Sequence, residues 1–221
     1  MSRDGSETGE PRTPLQRQLT GTRAPARPTP LDALAAARHW FNQGRKLDIQ
    51  ALAAELGVSR VTLHRWVGTR EQLLVEVLWL SAEQALTRLH EQVEAEGLVQ
   101  PGQPGQPGQP GQHSHTAEVL ARWVREVLAH PGHRQLASEE SEMFVRLLTH
   151  DASEFQRRLI ELVRELLVED IAAGRVTIEL APLELAYTVV RIVESFVHTP
   201  AITGCAPDPD GNARVLRALL R

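Results

Sequence analysis

From residue 29 onward the apolar positions recur at intervals of three and four, the spacing that lays one stripe along an α-helix. The first such segment opens at Thr29-Pro30-Leu31-Asp32, with Thr as cap, Pro at the first helical position and Asp three residues after the cap. It carries Leu34, Ala35, Trp40 and Phe41 and stops near Gly44. Asp48 is placed to cap a second helix from Ile49 to Leu56, ending at Gly57, and Ser59 a third that ends at Gly68. Thr69-Arg70-Glu71-Gln72 is a capping-box pattern, and the long fourth helix it opens carries Leu73, Leu74, Val77, Leu78, Leu80, Ala85 and Leu89 before fading near Gly97.

The same period continues in the second half. One helix is predicted from Thr116 to His130, ended by Pro131-Gly132, and another from about Gln135 to Thr149. Ser153-Glu154-Phe155-Gln156 reads as a second capping box, opening a helix to about Ala173. Pro182 starts a helix that ends near His198, and a last short helix runs from Asp210 to Arg221. Arg175 to Leu180 is the one short candidate strand. The pattern therefore predicts an all-α protein of nine to ten helices.

Two stretches fall outside the pattern. Residues 1–28 are rich in Pro, Gly, Thr, Ser and Arg without apolar periodicity, and read as a disordered basic tail. Residues 101–112 repeat Pro-Gly-Gln four times, too few triplets for a collagen helix, and read as the core of a flexible linker over residues 100–115 that includes His113 and His115. Residues 29–75 are then expected to form one domain and residues 76–221 a second.

Charge changes the picture more than composition does. The net charge of −4 is uneven: residues 1–70 hold 11 Lys and Arg against 6 Asp and Glu, and residues 71–221 hold 13 against 22. A basic first third on an acidic remainder suggests that one end meets a polyanion. The single cysteine, Cys205, excludes an internal disulfide and fits a reducing compartment. With no apolar run of membrane-spanning length and no apolar signal core at the N-terminus, a cytoplasmic location is expected.

Residues 49–66, IQALAAELGVSRVTLHRW, carry the chemistry. Two short helices crossing steeply need a small residue at the crossing, supplied by Ala53, and a glycine four residues later where φ is often positive, supplied by Gly57. Leu52, Leu56, Val58, Leu63 and Val67 fall where the helices must pack. This is a helix-turn-helix pattern. Arg60, Val61, Thr62, His64 and Arg65 fall outside the packing positions. There an arginine can bond the guanine edge, and Thr or Val can meet a thymine methyl. Arg70, at the start of the fourth helix, is expected to clamp phosphate together with free backbone N–H groups. Arg45 and Lys46 precede the motif as further phosphate contacts. The bland alternative is a mildly basic, solvated helix face.

Residues 31–80 resemble the DNA-binding domain of TetR-family repressors. The stretch LAAELGVSRVTLHRWVGTREQLLVEVL is similar to the family's turn, recognition helix and start of the fourth helix, and its wording is closest to the QsdR-like branch. Two positions depart from the family: His64 stands where Tyr is usual, and Asp48 stands where Thr or Ser often touches phosphate, which leaves Asp48 a cap only. The resemblance implies an N-terminal three-helix DNA-binding domain followed by a helical domain for dimerisation and small-molecule binding. Its implied partners are operator DNA, a second copy of the chain and an effector, with a lactone or related acyl compound as the analogy.

The later helices permit both roles. Phe155, Leu159, Leu162, Val163, Leu166, Leu167 and Ile171 form one stripe, whereas the helix from Pro182 is apolar over most of its circumference and needs burial on two sides. Its second cover is either the partner subunit or, in a monomer, the rest of the core. Trp123, Phe144, Tyr187, Arg191 and His198 are the candidate effector contacts, although an aromatic at helical spacing is more often plain core than ligand wall. His130 and His133 are a lone pair without further metal ligands, Glu139, Glu140 and Glu142 have no partnered base or nucleophile, and no cofactor motif occurs. The leading expectation is a ligand-responsive, non-enzymatic regulator, a repressor released from its operator by an effector. The alternatives are a helical protein–protein interaction module whose helix-turn-helix only packs, and an enzyme with an acidic helical site.

Overall fold

Capping chemistry starts the helices where the sequence places it. The computed structural model describes residue 13 and residues 27–99, 114–149 and 154–221. Pro30–Asn42 (α1) opens with a capping box, in which Thr29 N–H donates to the Asp32 carboxylate at 2.7 Å and Asp32 N–H donates to Thr29 Oγ1 at 3.3 Å. Asp48 caps Ile49–Glu55 (α2) by accepting from Ala51 N–H at 2.8 Å, and Ser59 caps Arg60–Val67 (α3) by accepting from Thr62 N–H at 3.0 Å. Thr69 and Gln72 cap each other's backbone at the start of Arg70–Val99 (α4). With 30 residues, α4 reaches from the first three helices well into the rest of the molecule.

The remaining helices are His115–Ala129 (α5), Pro131–Glu139 (α6), Ser141–Thr149 (α7), Phe155–Ala172 (α8), Pro182–Val197 (α9), Thr199–Thr203 (α10) and Pro209–Leu219 (α11). The described residues hold eleven helices and no strand.

The number exceeds the expected nine to ten for two reasons. Five-residue α10 carries no periodicity, and the single helix expected over 135–149 is two, broken at Glu140, whose φ of −138° and ψ of 35° lie off the helix. Pro131 ends α5 but also begins α6, because a proline at the first helical position has no N–H to lose. The candidate strand at 175–180 is irregular. Thr177 N–H donates to the Arg221 carbonyl at 2.9 Å, and Val176 is buried.

The tail over 1–28 and the linker over 100–115 lie almost wholly outside the described residues. At the linker's end Ser114 and His115 belong to α5 instead: Ser114 Oγ accepts from Ala117 N–H at 3.0 Å, and His115 is the first helical residue. Ser153 of the second capping box is also outside the described residues. Glu154 takes the cap position of α8 without a side-chain cap bond, and Gln156 turns to Arg191 and Glu194 instead.

One continuous core runs from Ala33 in α1 to Leu220 after α11. Its centre is α5, which buries Thr116, Ala117, Val119, Leu120, Ala121, Trp123, Val124 and Val127 against α4, α6, α8, α9 and α11. Helix α9, apolar nearly all round, lies beside α8 with Leu185, Ala186, Val189, Val190 and Val193 buried. Its other side is open, with Leu183 55% and Tyr187 53% exposed.

Candidate nucleic-acid interface and effector site

The turn between α2 and α3 is set by a few residues. Leu52, Ala53 and Leu63 are buried where the two helices meet α1 and α4, with Leu56, Val58 and Val67 packed around them. Gly57 takes φ +66°, a conformation without steric cost only for glycine, and Val58 N–H then closes the turn on the Ala53 carbonyl at 3.0 Å. With Leu63 turned inward, the opposite face of α3 must point outward. Arg60, Val61, His64 and Arg65 are exposed, Val61 to 80%. Among the described residues the side chains of Arg60, His64 and Arg65 have no hydrogen-bond or ion-pair partner, whereas Thr62 is half-buried with its hydroxyl 2.9 Å from that of Ser59. The result is an apolar centre flanked by unpaired cations on a protruding helix, an arrangement suited to a groove edged by phosphates.

The flanking cations behave differently from one another. Arg45 lies over the Trp40 ring at 3.3 Å from its centroid and 3.6 Å from Glu55, and Lys46 reaches Glu140 at 3.8 Å while remaining largely exposed. Arg70 is partly buried and already partnered. Its Nε–H donates to the Leu47 carbonyl at 2.6 Å, and its guanidinium donates to Glu140 at 2.7 Å and to Met143 Sδ at 3.2 Å. It joins the first three helices to the corner between α6 and α7, because Leu47, Glu140 and Met143 converge on the first turn of α4. Burial pushes the Glu140 carboxyl up, but the bonds from Arg70 and Gln135 and the charge of Lys46 outweigh it and hold it below the usual carboxylate range.

The same seam is closed tightly nearby. Gly132 in α6 lies against Phe41, where a Cβ would collide with that residue's carbonyl and ring. His130 stacks on the Phe41 ring at 4.8 Å between centroids, and His133 meets Phe41 edge-on at 5.1 Å. Rings continue inward from His133 to Phe144 at 5.8 Å and from Phe144 to His198 at 5.4 Å. Two histidines considered as a bare metal pair are thus packed as aromatic rings. Among the described residues the group able to offer three metal-ligand atoms is elsewhere, His90 with Glu94 and Glu169, and it is arranged as ion pairs.

Of the five candidate effector contacts, Phe144 and His198 meet at the C-terminal end of α9, and Arg191 lies seven positions before His198 on the same helix. His198 is 4% exposed, and burial lowers its pKa to about 4; burial lowers that of His133 to about 3. Arg191 pairs with Glu194 at 2.5 Å and bonds Gln156, which in turn donates to Glu194. Trp123 is instead part of the central core, and Tyr187 faces outward with the Arg191 guanidinium 5.5 Å over its ring. His133 adjoins Phe144, and Gln156 and Glu194 adjoin Arg191. The spacing of Glu194, three positions after Arg191 and four before His198 on one helix face, is the signal available for it, whereas His133 and Gln156 come from other helices and leave none.

No helix among the described residues is long and apolar enough to cross a membrane. Residues 113–221 match the family model described as "Tetracyclin repressor-like, C-terminal domain". No curated protein sequence matches the chain significantly. Among solved structures, the R. erythropolis transcriptional repressor QsdR of the TetR family is similar, with 26% identity and a TM-score of 0.69 over 86% of this chain and 93% of that one. RolR in complex with resorcinol has 15% identity and a TM-score of 0.62, covering 86% of each chain. AlkX of Dietzia sp. strain DQ12-45-1b, a TetR-family repressor implicated in n-alkane biodegradation, has 21% identity and a TM-score of 0.55 over 88% of this chain and 95% of its own.

Proposed function

The chain belongs to the TetR family of transcriptional regulators, and from that premise we propose that it is a homodimeric repressor released from its operator by a small-molecule effector. The observation that carries the reading is the outward face of α3: Arg60, Val61, His64 and Arg65, exposed and held by the buried side of a helix-turn-helix. In a two-fold dimer these faces would enter successive major grooves about 34 Å apart. Arg45 and Lys46 are placed for phosphate, although each already has an acidic neighbour. Arg70 acts at the seam and reaches DNA only indirectly. Residues 29–75 serve as the reading head and residues 76–221 as the body. The likeness to QsdR supports the QsdR-like branch, and the reading carries a lactone or acyl compound as effector and the cytoplasm as the place of action.

The effector is expected at Phe144, Arg191 and His198, with Trp123 and Tyr187 outside the contact set. The chain of rings from His198 to Phe41 gives occupancy of that place a physical means of shifting the head. For release, the effector must favour the arrangement that fits DNA less well.

The test is binding of the purified protein to DNA upstream of its own gene across a salt series, with random-site selection if that DNA is not the operator. Specific binding with dimer stoichiometry and affinity that falls steeply with salt is expected. Arg65→Ala should weaken it about tenfold or more with an unchanged melting temperature, since a good bidentate base contact contributes about 1–3 kcal/mol. Arg70→Ala should lower the melting temperature instead. Selection that yields no preferred site would refute the regulator reading and leave a packing-only helix-turn-helix.

A further inference from the structure

His90 and Glu94 stand one turn apart on one face of α4, and Glu169 reaches them from the last turn of α8. His90 Nε2 is 3.3 Å from a Glu169 carboxylate oxygen and 3.7 Å from one of Glu94, and the three atoms lie within 4.8 Å of one another. A protonated imidazole does not account for this arrangement. Its Nε2 carries one N–H and serves only one carboxylate, and a charge-assisted bond would close to about 2.7–2.9 Å. Among the described residues neither glutamate has an Arg or Lys partner, whereas the neighbouring Glu96 is held by Arg122 and Asp170 by Arg175. Two carboxylates thus converge on one imidazole nitrogen, and at least one negative charge is unmatched.

The spacing is that of ligands around a metal ion. Two donors about 2.1 Å from an ion in tetrahedral directions stand about 3.4 Å apart. The separations of 3.3 and 3.7 Å already suit this, and both glutamates are exposed, so small side-chain rotations bring in the third edge. The donor set selects the kind of ion. Mg²⁺ and Ca²⁺ seek oxygen and gain little from imidazole, whereas Zn²⁺ and its first-row neighbours take nitrogen and carboxylate together. A second imidazole borders the cluster. His115, the first residue of α5, lies over Gly97, three positions beyond Glu94 on α4. Its Nδ1 is buried without a hydrogen-bond partner, and burial, with the charge of Arg175, lowers its pKa, so the ring is neutral and keeps a lone pair.

We propose that His90, Glu94 and Glu169 bind a divalent first-row transition ion, best matched by Zn²⁺, with water completing the coordination and His115 at its border. The ion braces the far half of α4, the helix that begins at the first three helices, against the end of α8. Nearer the head the same two helices are linked by Arg158 and Glu76 at 2.9 Å, so the metal acts as a second brace along one seam. The assignment is independent of the effector reading above.

The test is titration of Zn²⁺ alone into the full-length protein, stripped with a chelator and free of DNA, in a non-coordinating buffer near neutral pH, followed by calorimetry and thermal melting. One ion per chain should bind in the micromolar range and raise the melting temperature, and EDTA should reverse the rise. His90→Gln and Glu169→Gln keep polar side chains of similar reach but remove a ligand atom. Each should weaken Zn²⁺ at least about tenfold, since even a group that only supports a metal ligand contributes that much. The melting temperature without metal should stay near that of wild type, because neither side chain is buried. Cys205→Ser, which removes the exposed thiol, should bind Zn²⁺ as wild type does, and Mg²⁺ should bind far more weakly than Zn²⁺. No stoichiometric binding at about 100 μM Zn²⁺, binding unchanged in either glutamine variant, binding lost in Cys205→Ser, or Mg²⁺ held as tightly as Zn²⁺ would overturn the assignment.

Discussion

Asp170 is fully buried near the end of α8, and its carboxylate accepts from Ser114 Oγ at 2.5 Å and from the backbone N–H of Thr116 and His115 at 2.9 and 3.3 Å, while Arg175 Nε donates to it at 2.6 Å. One side chain therefore pins the start of α5 to the end of α8 and the loop that follows. Burial pushes its pKa up, but the bonds from Ser114, Arg175 and Thr116 outweigh burial and the net position is below the ordinary 3.8. A carboxyl with a depressed folded pKa adds stability that is complete above the unfolded value and is lost as pH falls through the folded one. Asp170→Ala should cost about 3–5 kcal/mol at neutral pH, because it strands Arg175 and the amides. The difference in urea midpoint between wild type and Asp170→Ala should shrink as pH drops from about 5 toward 3. A gap that stays constant with pH would mean that the charge of Asp170 contributes nothing. No pattern in the sequence singles out this residue, since apart from Arg175 its partners lie at 114–116, 54 or more positions away.

Among the elements, α6 does the joining. Its first turn lies on Phe41 at the end of α1, and Arg70 and Lys46 reach the corner just beyond its end. Gly132→Ala is expected to destabilise the protein by about 1–3 kcal/mol, since the added methyl must push back the Phe41 ring and carbonyl. If the rings at this seam link body to head, the same substitution should also change the effector concentration needed to release DNA. A thermal melt and a release titration on one preparation read both effects, and a variant normal in both would remove the seam from the account. The sequence made α6 hard to see: a helix of nine residues with only Leu136 deeply buried besides Gly132 has little periodicity, and Pro131-Gly132 reads as a stop. By contrast α1 to α4 were legible almost to the residue, because each has a capping side chain at one end and a stripe of leucine, alanine and valine along it.

At the scale of the whole molecule, the outer side of α8 and α9 remains to be covered. Val168, Leu180, Leu183 and Tyr187 are between 40% and 55% exposed there, beside a helix apolar nearly all round. Large apolar side chains grouped on one helix pair suit a two-fold contact between copies. The double substitution Leu183→Glu and Tyr187→Glu is expected to give a folded monomer by sedimentation, with operator affinity reduced by two orders of magnitude or more, on the order of the loss of one half-site. An unaltered dimer would place the interface elsewhere.

What the sequence by itself determined is local. Helix starts, the helix-turn-helix, the exposed identity of Arg60, Val61, His64 and Arg65, and the all-α class depend on residues within a turn or two of one another, where spacing along the chain is spacing in space. What only the tertiary structure decided is where distant segments meet. Arg70 sits at the first turn of a helix, a good place for phosphate, yet it faces Leu47 and Glu140 because α6 and α7 pack over that turn. Tyr187 and Arg191 are neighbours on one helix, yet the first faces outward and the second bonds inward. α5 rather than α9 is the central helix, because centrality depends on how many neighbours a helix has and hydrophobicity alone does not count them. Side-chain roles across such contacts are fixed by packing between elements, and one-dimensional periodicity carries no record of it.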